Sequence, residues 1–317
     1  MDLKVVALAG GVGGAKLADG LAACLKPQDL TIVVNTADDF THLGLQISPD
    51  LDTVTYTLAG LAHPEHGWGR ADESWNFLET LGVLGGPTWF RLGDRDLALH
   101  HARTQRRERG ESLSAITQDM CERLGIGPTI LPMSDNPVRT IVTTDEGELP
   151  FQEYFVARNC EPIVKGFRFE GVEEAQPAPG VLQRLESADL VILCPSNPWV
   201  SLDPILAIPG IRPAVIRKPV FMISPIIAGA SVKGPAAKMF SEFGIEPSAL
   251  AVAQHYADLL DGILMDAQDA HMAPAIEALG VRVAIDQTWM RTRADRNRLA
   301  QSLLQFSSSI HLKESIQ

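Results

Sequence analysis

Two groups of residues near the start of the chain have the types and spacing for chemistry on phosphates. Gly10-Gly11-Val12-Gly13-Gly14-Ala15-Lys16 directly follows the apolar run Leu3 to Leu8. Four glycines let the backbone approach a bulky anion, and a helix opening there points its N-terminal N–H groups at it. Gly10, Gly11, Gly13, Gly14 and Lys16 are therefore candidate phosphate binders. Asp38, Asp39, Asp50 and Asp52 are four carboxylates within fifteen residues, read from the second strand onward. Beside a phosphate loop they suggest Mg2+, whose usual shell is one or two carboxylates plus substrate oxygens. The competing reading is that Asp50 or Asp52 caps a helix starting near Val54.

The glycine segment departs from both common phosphate motifs. No Ser or Thr follows Lys16, so the P-loop residue that holds Mg2+ is missing. Lys16 stands where the dinucleotide fingerprint has its third Gly, and the second strand ends in Asn35 rather than an acidic residue. An NAD-dependent oxidoreductase is thereby disfavoured. Further along, Trp89-Phe90-Arg91-Leu92-Gly93-Asp94-Arg95-Asp96 sets two arginines beside an aromatic pair. That arrangement suits either a phosphate clamp with a stacking ring or a capped helix start with surface ion pairs. Pro195-Ser196-Asn197-Pro198 and Ser224-Pro225-Ile226-Ile227 each follow an apolar run. Ser196, Asn197 and Ser224 are candidate nucleotide contacts there. His63, His66, His100 and His101 have no Cys or third His close by and are assigned to structure or solvent. There is no GxSxG elbow.

These residues need a scaffold, and the apolar patterning supplies one. Residues 3–35 read as strand, glycine turn, helix and strand. Short apolar strands recur at 189–194, 220–223, 262–265 and 281–285, with helical stretches between them. The fold class this predicts is α/β: a Rossmann-like, mainly parallel sheet with helices on both faces. In such sheets ligands bind beyond the carboxyl ends of the strands. Helices are expected near 54–61, 73–82 and 95–124, the last with a charged run, Arg103 to Glu111, forming a solvated face. Residues 140–148 with 151–156 suggest a hairpin and 164–169 a further strand, interrupting the α/β rhythm. Residues 1–60 and 180–317 are accordingly expected to form the nucleotide-binding core, and 61–179 an inserted smaller α+β subdomain.

Bulk properties narrow the partners. The chain has 317 residues and a formal net charge of −12, with 45% hydrophobic and 21% charged residues. So acidic a surface does not draw in polyanions, and no nucleic-acid partner is expected. Cys24, Cys121, Cys160 and Cys194 are widely spaced, which fits a reducing cytoplasm. No signal peptide or apolar membrane span is apparent, so no membrane partner is expected.

In this order the motifs resemble the 2-phospho-L-lactate transferase family of deazaflavin coenzyme F-420 biosynthesis. The match rests on Gly10 to Lys16, Asn35-Thr36-Ala37-Asp38-Asp39, Ile47 to Thr53 and Leu92 to Asp96. It continues through Leu131 to Asp135, Pro195 to Pro198 and Ser224 to Gly229, nearly the whole chain. The resemblance implies a guanosine-diphosphate-linked donor carrying phospholactyl, phosphoenolpyruvyl or phosphoglyceryl, and the deazaflavin alcohol FO as acceptor. FO attacks the distal phosphorus, GMP leaves, and Mg2+ is required. It puts Asp50 and Arg91 at the deazaflavin, where the family often has Lys in place of Arg91. Asp38, Asp50 and Arg91 are then catalytic, and Asp38, Asp39, Asp50 and Asp52 are candidate metal ligands. Asn35 joins the glycines, Lys16, Ser196, Asn197 and Ser224 as a donor contact, and a homodimer is expected. A Cβ at Gly13 is expected to crowd the donor phosphates. The rival within the superfamily is a nucleotide-sugar-binding regulator without transferase activity, which shares the glycine loop and an Ala-Asp-Asp motif.

Overall fold

The computed structural model describes residues 3–314, with side chains to residue 308. Seven parallel strands form the main sheet: β1 Val5–Ala9, β2 Leu30–Val34, β3 Thr129–Pro132, β4 Leu190–Leu193, β5 Val220–Ile223, β6 Gly262–Asp266 and β7 Arg282–Asp286. Their spatial order is β7-β6-β5-β4-β1-β2-β3. The chain thus grows outward from β1 in one direction and from β4 in the other, the doubly wound arrangement of Rossmann-like folds. The direction reverses between β1 and β4, where Val5 faces Leu30 on one side and Leu190 on the other. A crevice opens there beyond the carboxyl ends.

Every residue of β1, β2, β4, β5 and β6 is buried, which explains why these strands read as unbroken apolar runs. Successive residues still divide between two cores. Val6, Leu8, Val33, Val191 and Leu193 face one, and Val5, Ala7, Ile32, Val34 and Ile192 face the other. Helix α1, Val12–Cys24, lies on the second face beside the C-terminal helix Arg293–Glu314. The two helices approach closely at Gly20, where a Cβ would fall 2.3 Å from the Arg296 carbonyl oxygen. Asp19 fixes the pair by ion pairs to Arg296 and Arg293.

The stretch between β2 and β4 carries α2 Pro49–Leu58, α3 Asn76–Val83, α4 Asp94–Glu108 and α5 Leu113–Arg123. It also carries an antiparallel sheet of Arg139–Thr144 flanked by Gly147–Pro150 and Val164–Glu170. Strand β3 lies within residues 61–179 yet pairs with β2, so the main sheet takes its edge strand from the stretch expected to be inserted. Three local expectations are corrected. The helix expected over 95–124 is two, broken at Gly110 (φ +87°) and restarted by Ser112, whose hydroxyl caps Ala115. The hairpin returns through Gly147–Pro150, and Glu153–Ala157 is a short π-helical segment that buries Tyr154. The helix expected from Val54 begins at Pro49, which places Asp50 and Asp52 inside its first turn.

The glycine turn is shaped by close packing. None of Gly10, Gly11, Gly13 and Gly14 has a positive φ. A Cβ on Gly13 would lie 2.1 Å from the Pro195 carbonyl oxygen, and one on Gly14 2.8 Å from Ser196 Oγ. The expectation that a side chain at Gly13 would first crowd the phosphates is therefore corrected: it first collides with the turn after β4. Gly13→Ala should cost about 1–3 kcal/mol in urea unfolding, as overpacking against backbone does. Gly166→Ala, at a site with open space around it, should leave the midpoint nearly unchanged.

Candidate active site

The predicted site residues fall into two adjoining groups at the crevice, separated by the glycine turn. The first is acidic. Asp38 and Asp39 follow β2, and the first turn of α2 brings Asp50 against the start of α1. A Cβ on Gly11 would lie 2.8 Å from Asp50 Oδ1, and one on Gly10 3.1 Å from Oδ2. Asn35 holds this carboxylate. Its Nδ2 donates to Asp50 Oδ2 (3.0 Å) and to the Val200 carbonyl (3.1 Å), while its Oδ1 accepts from the Ala37 amide (2.9 Å). Asn35 is wholly buried. Its described bonds are thus to the protein, and it acts as a brace for Asp50.

The other two carboxylates are less satisfied. Ser48 Oγ donates to Asp39 Oδ2 (2.6 Å). Asp38 Oδ1 and Asp39 Oδ1 are buried with no hydrogen-bond partner. Burial above all, with the charges of Asp50 and Asp39, pushes the Asp38 carboxyl well above the usual range. Burial does the same to Asp39, and raises Asp50 to about 6 against the opposing hydrogen bond from Asn35. Orphaned oxygens on crowded carboxylates are what a divalent cation satisfies. Among the described residues no group of three or more His, Cys, Asp or Glu side chains is placed to hold a metal ion.

Asp52 does not belong to this group. Its carboxylate pairs with buried Arg103, Nη1 to Oδ2 at 3.0 Å and Nη2 to Oδ1 in close contact. His100 lies 3.6 Å from Asp52 Oδ2 and 3.2 Å from Asp96 Oδ1, and the Tyr56 hydroxyl donates to Asp96. Burial works against ionised Asp96, but His100, Tyr56 and Arg103 together hold its pKa down. Arg103 is therefore no part of a solvated face, which corrects that expectation. This network locks α2 to α4. Asp94 bonds Ser74 and Asn76 at the start of α3, and these bonds bring its pKa down to about 2. Glu73 caps α4 through the Arg95 and Asp96 amides. The Leu92–Asp96 motif thus organises helix starts. Arg91 is exposed and lies over the Trp75 ring, 4.5 Å from its centroid, and no described contact joins it to the aspartates.

The second group lines a cleft that opens to solvent; Gly13, Lys16, Asn197, Ser224, Lys233 and Trp289 are on its walls. No side chain caps the start of α1, so its first N–H groups remain open to an anion. Lys16 Nζ donates to the Met290 carbonyl (2.9 Å). Burial, with Arg296 and Lys233 nearby, lowers its pKa. Ser196 Oγ accepts from the Gly10 amide (3.0 Å), tying the turns after β1 and β4. Asn197 caps Trp199, and Ser224 closes a local turn with Ile226. Lys233 and the Thr288–Met290 segment beyond β7 escaped the sequence reading. The rule that sites lie past strand ends would have found the second.

The family model described as 2-phospho-L-lactate transferase CofD matches residues 5–303. The chain belongs to the CofD family. It is a transferase of this phosphotransferase family, which serves coenzyme F-420 biosynthesis. A Kitasatospora aureofaciens protein named phosphoenolpyruvate transferase is 47% identical over 288 residues, 88% of this chain and 90% of that one. A Methanopyrus kandleri protein named 2-phospho-L-lactate transferase is 42% identical over 308 residues, 96% and 97% of the two chains. A Bacillus halodurans protein of the UPF0052 family shares the fold, with TM-score 0.64 at 17% identity over 96% of this chain and 99% of that one. Among the described residues of this CofD-family chain, no helix is long and apolar enough to cross a membrane.

Two predictions follow from the charges. Ionising Asp50 is harder in the fold than in the unfolded chain, so stability falls as pH rises from about 4 to about 6. Asp50→Asn keeps the hydrogen bond from Asn35 and should raise Tm at pH 7.5 in metal-free buffer. The gain, on the order of 1–3 kcal/mol, should vanish at pH 4. Arg103→Ala strands Asp52 in the interior and should cost about 3–5 kcal/mol in urea unfolding. Adding Asp52→Asn should recover part of that loss.

Proposed function

We propose that the protein transfers a phospho-acid group from a guanosine-diphosphate-linked donor to the hydroxyl of the deazaflavin FO, releasing GMP, with Mg2+ bound at Asp38 and Asp39. The observation that carries this reading is the uncapped start of α1 at the crevice where the strand order reverses, with Asp50 packed on its glycines and with buried Asp38 and Asp39 each keeping one oxygen without a partner. One pole suits a cation and the other suits phosphate. The relatives named phosphoenolpyruvate transferase, 45–47% identical, support phosphoenolpyruvyl as the donor's acid ahead of phospholactyl. The expected homodimer and cytoplasmic setting remain part of the proposal.

The chain's own residues divide the work as follows. The α1 start and Lys16 hold the donor's phosphates over the glycine turn. Asn35 keeps Asp50 against Gly10 and Gly11, so its free oxygen faces the same turn. Asp50, with its pKa near 6, takes the proton from the FO hydroxyl as that oxygen bonds to the distal phosphorus and the bridging P–O bond to GMP breaks. Asp38 and Asp39 would hold Mg2+, which when bound would neutralise phosphate charge. Asp52, held by Arg103, positions α2 and is withdrawn from the metal set. Arg91 with Trp75 forms an exposed cationic and aromatic edge suited to the flat acceptor.

The test is to supply FO with each of the three guanylylated donors and Mg2+, and identify products by mass. Turnover should be fastest with the phosphoenolpyruvyl donor, stop in EDTA, and fall at least about a hundredfold in Asp50→Ala with the circular dichroism spectrum retained. No product from any donor, together with tight UDP-sugar binding, would establish the regulator instead. Wild-type turnover by Asp50→Ala would remove Asp50 from the mechanism.

A further inference from the structure

We propose that Lys233 is a second donor-binding cation, opposed to Lys16 across the cleft, and that it leaves two loop carbonyls to grip the diphosphate of the ligand. The inference rests on the donor reading above and adds a residue that no motif assigned. Lys233 sits in the turn after the short hairpin 226–231, in the wall of the same cleft as Lys16, Gly13 and Ser224. Its Nζ donates to the Glu65 carbonyl at 3.2 Å and, in closer contact, to the His66 carbonyl. Lys16 likewise rests on a carbonyl, that of Met290. Among the described residues neither ammonium has a carboxylate partner, in a chain whose net charge is −12.

Two ammonium groups without a carboxylate partner on the walls of one cleft suit an anion. Carbonyl oxygens satisfy the N–H groups but leave the charge, which a phosphate oxygen would meet with a stronger, charge-assisted bond. The loop that Lys233 holds also lies over the glycine turn: a Cβ on Gly67 would fall 2.7 Å from Val12 Cγ1. An anion seated on the start of α1 therefore lies in a cleft with both Lys16 and Lys233 on its walls. One ammonium reaches one phosphate, so two in one cleft favour a linked pair of phosphates over a single one.

The measurement is calorimetric binding of GDP and of GMP to the wild type, Lys233→Ala and Lys233→Arg, across a salt series. Lys233→Ala should weaken GDP about tenfold or more and GMP much less, and should flatten the salt dependence of GDP binding. Lys233→Arg should restore most of the GDP affinity, since it restores the charge. Equal GDP affinity in wild type and Lys233→Ala would overturn the inference while leaving the proposed function intact. An equal loss for GDP and GMP would also overturn it, because a residue that only tethers the 63–69 loop predicts that pattern. Failure of the wild type to bind either nucleotide would instead strike the donor reading itself.

Discussion

Carboxylates confined together away from water cannot all carry charge without a counter-ion, and the rest of this structure is arranged around that constraint. Asp38 and Asp39 leave β2 and turn inward, while the first turn of α2 drives Asp50 against the start of α1. Each is raised in pKa, first by burial and then by like neighbours in the case of Asp38. Such an arrangement is unfavourable in isolation. It persists because the elements that impose it are fixed by cores that have nothing to do with charge. The five fully buried strands and the apolar packing of α1 on them are commitments that Asp38, Asp39 and Asp50 do not control. The site borrows its strain from a rigid frame.

Selective relief of that strain defines the chemistry. Asp52 is neutralised by Arg103, so α2 keeps one acidic side chain as a structural peg and presents another, Asp50, to the crevice. Asp50 in turn receives one hydrogen bond, from an Asn35 that also ties down Val200 beyond β4. A single buried amide therefore couples the ends of β2 and β4 to the acid that faces the glycine turn. One oxygen each of Asp38 and Asp39 stays without a partner, as does the nearby Thr140 hydroxyl. A buried orphan acceptor is costly, and the proposed cation would relieve it.

The frame was legible from the sequence because it rests on runs of apolar residues, and a strand buried on both faces announces itself without a partner. Strand β3 was harder. Thr129–Pro132 is short and half-buried, and it stands among residues that read as an insertion, so only its pairing with β2 reveals it. The glycine segment was legible as a strand-to-helix turn, but the reason for its glycines was not. Spacing cannot show that Pro195 and Ser196, nearly two hundred residues away, press on Gly13 and Gly14. The same blindness to distant partners made Arg103 look solvated, since its residue type and its charged neighbours carry no trace of Asp52. Lys233 left no signal at all: a lysine in a Gly-Pro turn is ordinary until its ammonium is seen over the cleft.

The two poles of the crevice also resolve an apparent conflict in the composition. A protein with net charge −12 repels polyphosphates at long range, yet the proposed function requires it to hold one. Screening removes most of the long-range repulsion at physiological ionic strength. What remains is local, and there the balance reverses: an uncapped helix start and Lys16 meet the ligand on one side of the glycine turn, while carboxylates able to hold a divalent ion lie on the other. Lys16 donates to the Met290 carbonyl while Asp50 accepts from Asn35, so the two charges are held by different partners. Had α1 been capped by its own acidic side chain, that carboxylate would have taken the N–H groups an anion needs. The glycines let Asp50 and the turn after β4 pack close on the start of α1, where no side chain covers the first N–H groups.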